Sequence, residues 1–380
     1  MLSYWERESF LSYDHIIIGG GIVGMSTALS LRQRYPAASI LILERGLLPT
    51  GASTRNAGFA CIGSLTEILD DLRTMTAAQV VDLVAMRRRG LRRLRDRLGD
   101  EAIGYVENGS YELITDGEVV ALDHLYHIND LLRPLLGSDA FSRCDDRIGQ
   151  FGFGPSIRHL ISNDHEGQLD TGRAMRALIA KCLHGGIEIK TGANVTAIEE
   201  ESHYAGVQVA HSHIGERVTF RARKVAICTN AFTDKLFPGL DIQPGRGQVL
   251  ITKPIPGLRI KGVFHFDQGY YYFREVDGRI LFGGGRHLDF DGERTDVFAH
   301  SALILSDLRS KLAGIILPHT DFEIDYTWSG IMAFGSDKVP MIQQHSPHVY
   351  LGVRMGGMGV AIGSEVGERL ASLMTDTCAW

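Results

Sequence analysis

Long apolar runs, paired cysteines and an excess of basic charge are all missing from this sequence. No apolar stretch approaches the roughly 20 residues that a bilayer-spanning helix needs. Met1 to Tyr13 carry Glu6, Arg7 and Glu8 in place of the apolar core of a secretory signal. A membrane span and export are therefore disfavoured, and a cytoplasmic protein is the expectation. The five cysteines (Cys61, Cys144, Cys182, Cys228 and Cys378) are odd in number and form no Cys-x-x-Cys pair. That argues against a disulfide framework and against a zinc cluster, so no metal is expected. A formal net charge of −6 argues against a dedicated nucleic-acid binder.

What is present is a large apolar core and much glycine. The 380 residues are 44% hydrophobic, enough for two domains rather than one. The 44 glycines cluster beside apolar, strand-like segments, where backbone must approach something closely. His15 to Ile18 has the length and composition of a buried parallel strand, and a helix follows to about Arg34, ended by Tyr35-Pro36. A second apolar strand, Ser39 to Leu43, closes the βαβ unit. From Thr66 to Leu98 the apolar period is helical. Val207 to Val209 with Arg217 to Phe220, and Tyr270 to Arg274 with Arg279 to Phe282 around Asp277-Gly278, read as antiparallel pairs. Near the end, His348 to Val353 reads as a strand and Val360 to Met374 as a helix.

Between the first strand and its helix stands Gly19-Gly20-Gly21-Ile22-Val23-Gly24. Gly19 permits the tight turn, Gly21 lets backbone approach a pyrophosphate, and Gly24 allows close helix–strand packing. The helix start offers unpaired N–H groups to phosphates. Glu44-Arg45 follows the second strand, at the point where an acid accepts hydrogen bonds from a ribose 2′-OH and disfavours a 2′-phosphate. These features fit FAD and NAD equally. The loop Thr50-Gly51-Ala52-Ser53-Thr54-Arg55-Asn56-Ala57-Gly58-Phe59-Ala60 separates the two.

With that loop, the chain resembles the D-amino-acid oxidase-like superfamily, which includes glycine oxidase, sarcosine oxidase and the γ-glutamylputrescine oxidases. The resemblance implies FAD, held non-covalently, because Cys61 does not match the family's tethering positions. It assigns Gly19, Gly21, Ile22, Val23, Gly24, Glu44, Arg45, Ser53, Thr54, Asn56, Ala57 and Gly58 to the nucleotide. Val195 looks like the family's adenine contact, and Thr229, Asn230 and Ala231 look like the end of its second dinucleotide strand. Trp328 and Gly330 look like the flavin-side stretch. The loop of Gly357, Met358 and Gly359 looks like the cap over the flavin O2, and Arg354 just before it is placed for flavin contact. Nucleotide-binding pieces thus fall at the beginning, middle and end of the chain. The expected fold is α/β: a Rossmann-type FAD-binding domain, discontinuous in sequence (1–100, 166–240 and 326–380), with an inserted mixed β-sheet substrate domain (101–165 and 241–325).

The implied reaction is oxidation of a C–N bond in a small amine or amino acid by hydride transfer to flavin N5, with oxygen or a quinone or other electron carrier as acceptor. Many relatives hold a substrate carboxylate with the Arg of Gly-x-Arg-Pro. This sequence has Gly330-Ile331-Met332-Ala333, so that clamp is absent. Tyr271 is the positional match to a tyrosine that faces substrate in related enzymes, Tyr270 and Tyr272 sharing the other face of the strand. Arg274 or Arg286 could replace the missing clamp. Arg246 lies where the family chain turns back to the flavin, as a substrate or flavin contact or as a surface-paired turn residue. His265 and His287 read as structural or surface histidines, and Cys61 as a small buried residue. Arg87 to Arg95 reads as a solvated helix face balanced by Asp70, Asp71, Asp96 and Asp100 rather than as an RNA contact. The rival functions are oxidation of a 2-hydroxy acid and a partner-dependent flavoprotein subunit without independent small-amine activity.

Overall fold

The first strand, Ser12–Ile18, lies in the interior of a sheet, as its Ile16-Ile17-Ile18 run requires. A computed structural model describes residues 2–210 and 217–376 of the chain. The order across this sheet is Met341–Gln344, Val349–Val353, Arg217–Ile227, Ser12–Ile18, Ile40–Leu43 and Glu188–Lys190. The pairings are parallel except at Met341–Gln344. Ile18 is level with Leu43 on one side and Ile227 on the other, so three strand ends finish together. Helices Ile22–Arg34, Ala77–Leu98, Thr171–His184 and Gly359–Asp376 cover one face. The antiparallel strands Val195–Glu200 and Ala205–Ala210, with the first half of Arg217–Ile227, cover the other.

The single helix expected over 66–98 is two. Leu65–Asp71 starts on a capping box between Ser64 and Glu67, and Ala77–Leu98 starts on another between Thr76 and Gln79. The second cap supplies amide acceptors that a continuous helix would not need. The arginines of this helix also pair differently from the expectation. Arg92 and Arg95 meet Asp96 and Asp100 as foreseen, but Arg89 and Arg93 reach Glu365 on the C-terminal helix, and Asp71 pairs with Lys338. Of the basic run only Arg87 is buried; Arg88, Arg89 and Arg92 are exposed and Arg93 and Arg95 half-buried.

The second sheet is mixed, in the order Ile324–Phe334, Gln243–Thr252, Arg279–Gly284, Tyr271–Val276, Val263–Phe266, Ser110–Ile114, His159–Asn163 and Ser142–Arg143. Asp277 and Gly278 both have positive φ (50° and 73°), the two-residue turn suited to a twisted hairpin. The strand Ile324–Phe334 crosses the expected domain boundary. The expected boundary places it from residue 326 in the nucleotide domain, yet through Phe334 it pairs with Gln243–Thr252 in the second sheet. One face of this sheet packs on helix Ala302–Lys311 through Phe264, Phe273 and Phe282; the Phe264 and Phe273 rings stack at 4.7 Å. The other face roofs a cleft above the parallel strand ends.

Gly90 sets the spacing of helix Ala77–Leu98 against the C-terminal helix, since a Cβ there would stand 2.1 Å from the Ala361 carbonyl oxygen. Alanine would contribute about 1 kcal/mol as a helix former, and overpacking costs roughly 1–3 kcal/mol. Gly90→Ala should therefore lower the thermal midpoint by a few degrees in circular dichroism. A raised midpoint would show that the two helices separate freely.

Candidate active site

The cleft holds about 770 Å³ and runs from the ends of the parallel strands to the underside of the second sheet. Its first half is built mainly from backbone. Gly19 has φ of 110° and a Cβ on it would lie 2.6 Å from the Cys228 carbonyl oxygen. A Cβ on Gly24 would lie 2.0 Å from the Gly19 carbonyl oxygen. The glycine turn and the start of helix Ile22–Arg34 are thus pressed onto the sheet, and first-turn amides face the cleft. Ser53 Oγ accepts from the Ile22 amide at 3.0 Å. The buried Glu44 carboxylate accepts from the Gly20 amide on one oxygen and the Gly46 amide on the other, both at 2.9 Å. Each oxygen keeps a lone pair for a ribose hydroxyl. A second helix N-terminus, Gly357-Met358-Gly359, reaches the cleft from the far end of the chain. A glycine cradle, a fixed acid and two helix starts fit a dinucleotide with a diphosphate bridge.

Most residues assigned to the nucleotide line this cleft: Gly19, Gly21, Ile22, Val23, Glu44, Arg45, Ser53, Asn56, Ala57, Val195, Thr229, Asn230, Gly330, Arg354, Gly357, Met358 and Gly359. Five stand behind its wall. Gly24 is the helix–strand contact. The Thr54 hydroxyl donates to the Pro49 carbonyl, Gly58 forms a positive-φ turn, and Ala231 is packed in the core. Trp328 Nε1 donates to the Arg55 carbonyl oxygen at 3.0 Å. Of those on the wall, Asn56 mainly holds its own loop, receiving the Gly58 amide and the Thr171 hydroxyl. Arg354 is anchored to Asp337 at 2.7 Å and to Asp241, and Asn230 Oδ1 receives the Arg354 and Met355 amides. Arg45 lies 3.6 Å above the Phe232 ring.

None of the three residues expected in catalysis lines the cleft, and the reason for two is the parity of the roof sheet. His265 pairs with Tyr272 and Glu112, and Tyr272 with Gly283; these face one way. Phe264, Phe266, Tyr271 and Phe273 face the other. Tyr271 is buried against helix Ala302–Lys311, where its hydroxyl bonds Asp307 at 2.6 Å. Tyr270 and Tyr272, the flanking pair, line the cleft. Arg246 also points away, and its guanidinium forms a bidentate pair with the fully buried Glu293 at 2.7 and 2.8 Å. Arg274 shares the face of Tyr272 but lies behind the Gly58 turn. Burial there depresses its guanidinium to about 10.

The missed residues are Phe59, Glu67, Arg87, Tyr270, Tyr272, Phe290, Phe334 and Lys338, which share this end of the cleft with His265, Arg286 and Met332. Arg286, one of the two alternative clamps, has its guanidinium 4.1 Å from the Phe334 ring centre and 4.9 Å from that of Phe290. Among the described residues no carboxylate lies within 4.0 Å of it, and its Nε is buried without a partner. Met332 occupies the wall where the family arginine would stand, which leaves that point apolar. Burial pushes the Tyr272 phenol up to about 12, so it remains a neutral donor. Glu67 is held ionised against its burial by His265, the Ser64 amide, Arg87 and Lys338.

Residues 14–373 match the family model described as "FAD dependent oxidoreductase". The L-2-hydroxyglutarate dehydrogenase of Bos taurus mitochondria is 24% identical, covering 93% of this chain and 78% of the relative. Glycine oxidase of Geobacillus kaustophilus is 25% identical over 88% of this chain and 84% of its own. Its crystal structure superposes with a TM-score of 0.76 at 20% identity, covering 96% of this chain and 95% of that one. L-proline dehydrogenase from P. horikoshii gives the same TM-score and identity over 96% and 94%. Among the described residues, no helix is long and apolar enough to cross a membrane.

Two predictions follow from this geometry. Glu44→Gln removes the charge from the acid while keeping its size. Bonds to charged groups contribute about 1.5–3 kcal/mol against about 1 for neutral ones, so FAD affinity should fall roughly 3- to 30-fold. Fluorescence titration of apoprotein with FAD measures it; unchanged affinity would place the ribose elsewhere. The second concerns Glu112, whose carboxyl burial pushes up to about 7, against hydrogen bonds from Thr66 and Ser64 and with help from the Glu67 charge. Its folded value lies above the ordinary 4.5. Between those two values the folded chain keeps a proton that the unfolded chain releases, so stability falls as pH rises through that window. Glu112→Gln should flatten the unfolding free energy there in denaturant titrations, and an unaltered pH slope would assign the dependence to other groups.

Proposed function

Because the chain belongs to the FAD-dependent oxidoreductase family, with FAD as its non-covalent cofactor, we propose that it oxidises the C–N bond of a small amine or amino acid bearing an anionic group. The observation that carries this reading is the free guanidinium of Arg286 at the substrate end of the cleft. A cation held between Phe334 and Phe290, largely withdrawn from water, gains most from a bidentate carboxylate partner. Arg286 thus supplies from the roof what the family arginine, replaced here by Met332, supplies elsewhere. Bound FAD supplies the two-electron acceptor for hydride. Phe59, Tyr272 and Met332 give an apolar wall that suits the uncharged amine from which hydride leaves, and the Tyr272 hydroxyl offers one donor to orient it. The relatives named glycine oxidase and L-proline dehydrogenase support C–N chemistry.

A second reading, oxidation of a 2-hydroxy acid, has its own observation. Alcohol oxidation needs an acceptor for the hydroxyl proton. His265 lines the cleft with Nε2 buried and unpartnered, and the ionised Glu67 stands near it. The relative named L-2-hydroxyglutarate dehydrogenase supports this alternative.

Anaerobic titration of the oxidised holoenzyme decides between them. Amino acids or N-substituted glycines should bleach the flavin, and Arg286→Ala should raise the half-bleaching concentration about 10- to 100-fold. Bleaching by 2-hydroxy acids alone would replace the first reading with the second. Equal response of the Arg286→Ala enzyme would remove the carboxylate from the proposal.

A further inference from the structure

Beside the cleft, three distant points of the chain bring a thiol, a carboxylate and an imidazole together. The short strands Phe59–Ala60 and Gly167–Gln168 pair with Ala60 opposite Gly167, which sets Cys61 next to Glu166. His265 arrives from the cleft face of strand Val263–Phe266. One ligand atom from each of the three lies within 4.8 Å of the other two. Cys61 is 2% exposed, Glu166 0% and His265 8%.

Burial of this kind is costly for polar atoms that lack partners, and two of these atoms lack a nitrogen or oxygen partner. Glu166 Oε1 accepts from the Ile62 and Gly63 amides, which fixes the carboxylate, while Oε2 is buried with no nitrogen or oxygen donor and the Cys61 thiol is the neighbour left to bond the carboxylate. His265 Nε2 is equally bare. We propose that Cys61, Glu166 and His265 form a metal site that takes one zinc-class divalent ion.

A tetrahedral zinc with bonds of about 2.0–2.3 Å holds its ligand atoms roughly 3.3–3.7 Å apart. The three groups therefore need to close by about 1 Å, within the reach of side-chain rotation. Thiolate, carboxylate and neutral imidazole match zinc in donor type, and the two anionic ligands balance its charge. Binding displaces the thiol proton to solvent and forms a Zn–S bond, which two positive charges at the sulfur make favourable. Nearby Arg274 opposes a second cation electrostatically, so affinity is expected to be moderate. Cys61 and His265 line the cleft whereas Glu166 stands behind it, so a fourth coordination position faces the cleft.

The test uses holoenzyme stripped with a chelator, dialysed against zinc chloride and analysed by elemental mass spectrometry and zinc-edge X-ray absorption. About one zinc per chain is expected, with one sulfur at about 2.3 Å. Cys61→Ser should remove that sulfur and weaken binding at least about 100-fold, and His265→Gln should weaken it about 10-fold or more. FAD content and circular dichroism identify any variant that fails to fold; the intact chain then decides by stoichiometry and sulfur signal alone. Less than about 0.1 zinc per chain at micromolar free metal would overturn the site, as would zinc bound without sulfur or undiminished in a folded Cys61→Ser enzyme.

Discussion

The architecture depends on how closely a helix can be laid against a strand. Gly24 has no Cβ, so helix Ile22–Arg34 can sit where a methyl group would lie 2.0 Å from the Gly19 carbonyl oxygen. The contact fixes the direction of the helix, and that direction points its unpaired amides along the strand ends. Ile18, Leu43 and Ile227 finish level, so the turn, Glu44 and the Cys228–Asn230 corner arrive on one edge. The C-terminal helix depends on the same geometry one layer out. It lies against Ile22–Arg34 at Gly367, where a Cβ would stand 2.6 Å from that of Ser26, and against Ala77–Leu98 at Gly90. Its own N-terminus is thereby carried to the cleft.

The two halves of the cleft obey different physics, and this governs how much of each was legible in the sequence. The nucleotide half is made of backbone placed by glycine, an N-terminus and one acid, and each requirement restricts residue type at a fixed spacing. Gly19, Gly21 and Glu44 could therefore be placed from sequence alone. The substrate half is made of side chains on one face of a sheet, where any residue type fits either face and only parity distinguishes them. Tyr270 and Tyr272 were correctly grouped against Tyr271, but which group looked into the cleft depended on helix Ala302–Lys311. That helix buries the Tyr271 face, and its apolar pattern says nothing about which strand it will cover. Arg246, level with Ile331, fell to the same ambiguity. His265, expected to be structural or at the surface, sits on the cleft face by virtue of pairing with Tyr272. The sheet that residues 326–334 join was hidden for a related reason: strand pairing across Gly247–Gly330 is a long-range choice that local composition does not record.

Arg246 shows what such a residue does when it is not catalytic. Its bidentate pair with Glu293 is joined by Gln248, whose Nε2 donates to Glu293 at 3.0 Å and whose Oε1 receives the Ser301 amide. A buried carboxylate so fully partnered holds its segment firmly, because removing any donor leaves charge uncompensated. The segment it holds runs from Arg286 to Ser301 and crosses the cleft. At its start Arg286 meets the substrate end. Further along, Asp296 pairs with Lys235 at 2.6 Å, and Phe298 lies under the Arg55 guanidinium at 4.4 Å and against Phe232. Lys235, Arg55 and Phe232 belong to the nucleotide half. One buried ion pair therefore ties the placement of the Arg286 guanidinium to contacts on the nucleotide half of the cleft. In this arrangement Arg246, expected at the substrate or flavin, instead braces the segment that carries Arg286.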